Sequence, residues 1–206
     1  MKIEIVKSGI PDRLLIVIND EIWKEIHTSI FGKQPKLPSC SNKNEWGEKF
    51  AAFELQRVKN YVIWRLSSQN YHSQEMKQLL KKRLIASSLI HKVLTEFKEK
   101  GFFDDPLWIS SFMRIHSKRL GLPAILQKMR IKGISEEELE DVRANWQDSD
   151  QEKESVEKLL VGRYRSKNLK DFKEKQKVIQ SLMRKGFSFE SIKLVMDNLL
   201  IADDHL

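Results

Sequence analysis

A chain of 206 residues, 40% hydrophobic and 32% charged with only 8 glycines and 5 prolines, can bury the core of one large or two small domains, which excludes a disordered or low-complexity class. Its one cysteine, Cys40, excludes an internal disulfide and fits a reducing compartment. The net charge of +8 is unevenly placed: residues 1–55 balance at zero, 56–134 carry net +11, 135–158 net −7 and 159–206 net +4. A surface for a polyanion or an acidic protein is therefore expected on the middle segment, with a solvated helical face as the plain alternative.

MKIEIVK lacks the apolar region of a signal peptide, and the longest apolar run, LLIVI (14–18), is far short of a membrane span. A soluble, cytoplasmic protein without membrane association is expected. KIEIVK (2–7) alternates at period two, and RLLIVI (13–18) is apolar and β-branched. Gly9, Pro11 and Asp12 between them supply a turn, so the two runs predict a β-hairpin. NDEIWKEIHTSIF (19–31) predicts a short helix with Asn19 or Asp20 as N-cap. GKQPKLPSCSN (32–42), with two prolines and small polar residues, reads as a linker.

From Glu45 onward the pattern is helical and written three times. KGISEEELEDV (132–142) and KGFSFESIKLV (185–195) share a Lys-Gly, an apolar anchor and a serine. Taking Ile134 and Phe187 as anchors, apolar residues follow at offsets 5, 8 and 12: Leu139, Val142 and Trp146, then Ile192, Val195 and Leu199. Ile85 begins a third copy with Ile90, Val93 and Phe97. Upstream, Met76, Ile125 and Val178 stand nine before the anchors, and Leu80, Met129 and Leu182 stand five before. This 3-4 spacing is the inner stripe of two helices meeting at a corner. Gly133 and Gly186 sit where the first of them must end in a left-handed residue, but the first copy has Leu84 there, a poor cap. Ser135 and Ser188, and Ser87 or Ser88 in the first copy, are natural N-caps for the next helix, and Glu138 completes a capping box with Ser135. A further helix precedes each pair, with Tyr61, Trp64 and Leu66, then Trp108, Phe112 and Ile115, then Leu160 and Tyr164. The expected fold is mainly α: an elongated array of three tandem three-helix repeats (45–104, 105–150, 151–206) after a small N-terminal β-hairpin/α element and linker (1–42).

Catalytic chemistry is not written in the chain. There is no phosphate-cradling glycine loop, and His27, His72, His91, His116 and His205 are scattered without zinc spacing. Cys40 reads as a bystander. Asp104–Asp105 is explained by N-capping from Asp105 with Pro106 in the first turn, and Glu136–Glu138 by the helix dipole. No enzyme activity, metal or cofactor is expected. A helix–turn–helix reading of DNA is disfavoured in the second repeat, where the acidic EEELEDV could not enter a major groove.

The chain over roughly 55–200 resembles the RecX family of bacterial regulators of the RecA recombinase. The resemblance rests on KEKGFFDDPLWISSFMR (98–114), GLPAILQKMRIKGI (121–134) and RKGFSFESIKLVMDNL (184–199), and on the N-terminal IVINDEIW. Leu84, where the family often has glycine, departs from it. The resemblance implies a non-enzymatic, modular helical protein that binds in the groove of the RecA–DNA filament and lowers recombinase, ATPase and coprotease activity, thereby regulating DNA repair. The implied partners are the RecA filament and, through nonspecific phosphate contacts, its DNA; the protein itself is expected to be a monomer. Charge and expected exposure select Arg65, Lys81, Lys82, Arg83, Arg114, Lys118, Arg119, Arg130 and Lys132 as contact residues. The alternative is a helical module that binds nucleic acid directly and without sequence preference.

Overall fold

The structure, a computed structural model, describes residues 1–40, 42–146 and 149–203. It opens with an antiparallel sheet, β1 (Ile3–Lys7), β2 (Arg13–Ile18) and β3 (Glu21–His27), in that order. Ile3 faces Ile18 and Lys7 faces Leu14, while Ile18 faces Glu21 across a two-residue turn. On β2 the alternation puts Leu14, Ile16 and Ile18 inside. The helix expected over 19–31 is replaced by β3 and a single helical turn, α1 (Thr28–Phe31). Asn19 and Asp20 have φ of +50° and +66°, which makes them the centre of a primed hairpin turn, not an N-cap. Such turns favour Asn and Asp and match the twist of the strands they join.

α2 (Lys43–Ser68) is one 26-residue helix that serves two partners. Asn42 caps it by accepting from the Glu45 amide at 2.8 Å. Its first half packs on the sheet: Trp46 and Phe50 are buried, Trp23 meets Phe50 edge-on with centroids 4.9 Å apart, and Phe31 stacks on Phe50. The buried carboxylate of Glu54 is paired with Lys24 Nζ at 2.6 Å. Its second half offers Val58, Tyr61 and Val62 to the same core as α3 (Ser73–Lys81) and α4 (Ser87–Glu99). The sheet and helices α1 to α4 thus form one compact unit, residues 1–105. The second unit, 106–206, takes up α5 (Asp105–His116), α6 (Leu122–Lys132), α7 (Glu136–Ala144), α8 (Ser149–Val161), α9 (Phe172–Met183) and α10 (Phe189–Asp203).

The repeat read from the sequence is a repeat of the core. The residues nine and five before each anchor, the anchors, and those five after are buried in all three copies. The corners share one hydrogen-bond pattern as well. Ile85 donates to Leu80 O, Ile134 to Met129 O and Phe187 to Leu182 O, each spanning a left-handed residue. Gly133 and Gly186 have φ of +88° and +87°, and Leu84 takes the same conformation at +64°. Leu84 therefore accepts a backbone state that costs an ordinary L-residue about 1–2 kcal/mol.

Gly186 meets a second demand, because a Cβ on it would lie 2.9 Å from both the Cβ and the amide nitrogen of Ala124. Gly121, the N-cap of α6, donates its amide to Lys185 O at 2.9 Å, and a Cβ on Gly121 would lie 1.9 Å from Gly186 O. Within the second unit, the α6 start and the α9–α10 corner touch backbone to backbone.

The caps divide in the same way. Ser135 and Glu138 form the expected capping box, and Ser188 accepts from the Ser191 amide. In the first copy, Ala86 takes the N-cap position in place of Ser87 or Ser88, with no side-chain cap. Asp105 is the first residue of α5 rather than its N-cap. Its carboxylate accepts from the Ser73 amide (2.7 Å) and Ser73 Oγ (2.6 Å), capping α3 from 32 residues away.

Candidate polyanion-binding groove

The 3-4 spacing that buries Met76 and Leu80 of α3, and Ile90, Val93 and Phe97 of α4, leaves polar residues along the facing edges of both helices. Lys77 and Lys81 stand four apart on α3. His91, Thr95 and Lys98 stand at offsets 0, 4 and 7 on α4. Together with Ser73, Gln74 and Ser87 they line a groove of about 440 Å³ whose floor is Ile90 and Leu94. Ser87 begins α4, whose N-terminus has no side-chain cap, so the positive end of the helix dipole adds to the lysines. Lys77 and Lys81 have no carboxylate partner among the described residues, whereas Lys98 Nζ is held 2.8 Å from Asp105. Burial pushes the Asp105 carboxyl up, but Lys98 and the two hydrogen bonds from Ser73 outweigh it and hold it below its ordinary value. Asp105 thus stays ionised and neutralises one edge of the groove, leaving net cationic character at the Lys77–Lys81 edge.

This geometry suits an anion; it is not arranged for acid–base or metal chemistry. His72, fully buried, caps α3 through Nδ1, which accepts from the Gln74 amide at 3.2 Å. Its 3.8 Å separation from Asp105 is too long for a hydrogen bond. Among the described residues no cluster of three or more His, Cys, Asp or Glu could hold a metal, and no helix is long and apolar enough to cross a membrane. His205 lies outside the described residues.

The nine cations selected from sequence meet different fates. Lys81 lines the groove and Lys82, the α3 C-cap, is exposed beside it. Arg65 and Arg83 are half-buried structural groups. Arg65 lies 4.9 Å from the Tyr71 ring and 5.7 Å from Trp64, while Arg83 lies 5.1 Å from Tyr61 and donates to Leu79 O. In the second unit, Arg114, Lys118 and Arg119 are exposed around the α5 C-terminus. Arg130 makes a two-point ion pair with Glu136 (2.7 and 2.8 Å), and Lys132 lies half-buried 5.8 Å from the Trp108 ring. Sequence reasoning missed Lys77, His91 and Lys98. Their signal was present as 3-4 spacing immediately beside the core stripe, but a search for runs of cations passes over it.

Residues 150–196 match the family model described as RecX, third three-helix domain. The chain is 30% identical over 148 residues to the regulatory protein RecX of Streptococcus mutans, covering 71% of this chain and 57% of that one. It is 31% identical over 155 residues to that of Staphylococcus saprophyticus, with 74% and 57% covered. The chain thus spans little more than half the length of these curated relatives. A crystal structure of regulatory protein RecX superposes over 95% of this chain and 98% of its own with a TM-score of 0.59 at 21% identity, a likeness of fold. The third-domain match and these relatives together support a RecX family protein.

Proposed function

We propose that this protein binds the DNA filament of a RecA-type recombinase and lowers its recombinase, ATPase and coprotease activities, acting as a binding protein without chemistry of its own. The relatives named regulatory protein RecX support a regulatory role. The observation that carries the contact to this chain is the α3–α4 groove, where Lys77 and Lys81 stand without carboxylate partners beside an uncapped helix start. A lysine edge and backbone amides suit acidic side chains and phosphates alike. Lys82, Arg114, Lys118 and Arg119 extend the proposed contact set. Arg65, Arg83 and Arg130 are proposed to act at most through the surfaces they support.

The test is single-strand-dependent ATP hydrolysis by RecA with this protein at substoichiometric ratios. Inhibition is expected, and Lys77→Glu/Lys81→Glu should weaken it severalfold. No inhibition at physiological salt would reject the reading. The same groove favours a second reading, direct binding of nucleic acid without a recombinase. In that case naked single strands should bind as tightly as filaments. The double variant should then lower the slope of log affinity against log salt by about 1.4, at about 0.7 per lost phosphate contact.

A further inference from the structure

The three repeats share their buried anchor but not their flank. In the first copy the last two stripe positions, Val93 and Phe97, are buried; in the third, Val195 is buried and Leu199 packs against its core. There the preceding helix lies directly on the stripe, α2 against α4 and α8 against α10. In the second copy α5 makes no comparable contact with α7 and buries none of its residues fully. Val142, at the edge of its core, and Trp146, outside it, are the equivalents of Val93 and Phe97 and are only half-buried. They form one wall of an open groove of about 560 Å³, and Pro106, Ile109 and Met113 of α5 form the other. A cleft of that size with an apolar floor is of the kind that accepts a ligand.

The rim of this groove has one sign. Glu138 and Asp141 border it, and among the described residues no cation lines it. Arg143 pairs with Glu140, and Asp141 has no cation partner among the described residues. An occupant must therefore offer apolar side chains to the floor and positive charge to the α7 edge. Because the groove lies between two helices at the place where the other copies pack helix on helix, a third helix fits it best. We infer that the α5–α7 groove docks a basic amphipathic helix of a partner protein, with apolar residues at i, i+3/i+4 and i+7 and Lys or Arg on the flank that meets Asp141.

The probe is a fluorescently labelled 14-residue peptide with leucines at those positions and lysines elsewhere, set against the same peptide with glutamates for lysines. Anisotropy is measured with the full chain. The assay contains neither recombinase nor DNA, so its outcome is independent of the filament reading. The lysine peptide should bind at least tenfold tighter than the glutamate peptide, and Asp141→Lys should weaken it about tenfold. Val142→Asp separates docking from bulk attraction: added negative charge would tighten a merely electrostatic complex but should abolish a docked one. Val161→Asp, on the exposed face of α8, should leave binding unchanged, and circular dichroism should show all variants folded. Equal binding of both peptides, or undiminished binding by Val142→Asp, would overturn the inference. So would a concentration-dependent dimer that Val142→Asp dissolves, because the groove would then be a contact between copies of this chain.

Discussion

The second helices of the first and second repeats start at equivalent positions, twelve residues before their anchors, yet different physics holds them. At α3 the work is done by side-chain chemistry: Asp105 accepts two hydrogen bonds from Ser73 and pairs with Lys98. At α6 it is done by shape, because Gly121 lets the backbone settle against Lys185 and Gly186. The first is held by an ionisable carboxylate, the second by a backbone contact that leaves no room for a Cβ. The corners repeat the contrast. Leu84 bears left-handed strain, while Gly186 must be glycine for two independent reasons.

The largest effect should come from Gly121→Ala. A Cβ 1.9 Å from a carbonyl oxygen belonging to another backbone cannot be absorbed by a rotamer change. About 3 kcal/mol or more should be lost, read by urea unfolding, with amide exchange in α6 and α9 rising while α3 stays protected. A wild-type exchange pattern would break the comparison. Asp105→Asn should cost about 2 kcal/mol at pH 7, localised to α3. The sign with pH follows from the depressed carboxyl: the anchor is complete above the ordinary aspartate value of 3.8 and fades as pH falls through the lower folded value. The gap between wild type and variant should therefore close on acidification, whereas the Gly121→Ala gap should not. Gly133→Ala, which puts a Cβ on a residue at φ +88°, should cost about 1 kcal/mol by thermal or urea unfolding. Leu84→Gly should do the reverse and stabilise by about 0.5 kcal/mol, the relieved strain being partly offset by glycine's entropy. Destabilisation would mean that the half-buried leucyl side chain outweighs its own strain.

Much of this architecture was legible in the chain, because offsets of −9, −5, 0 and 5 around Ile85, Ile134 and Phe187 encode burial that any helical corner must satisfy. The third strand was not. Ile22 and Ile26 in EIWKEIH fit a helical spacing of four as well as strand alternation, and Asn-Asp serves equally as cap or primed turn. Pairing with β2 decides between them, and local sequence does not contain it. The groove was half legible. Lys81 stood out as part of a cationic run, but the stacking of Arg65 on Tyr71 and of Arg83 on Tyr61 depends on tertiary contacts. The opposite error occurred at Val142 and Trp146, whose pattern promises core and whose place in the fold leaves them beside an open groove.

The long-range cap on α3 has a consequence for synthesis. As the chain leaves the ribosome, the sheet and α2 can close on each other early, but Ser73 must wait for Asp105, 32 residues later. At about 5–20 residues per second that is a delay of about 2–6 s, during which the start of α3 lacks the carboxylate that fixes it. The first unit is thus completed by its last residue, and a ribosome stalled before Asp105 emerges would display a nascent chain with a formed sheet and a frayed, protease-sensitive α3.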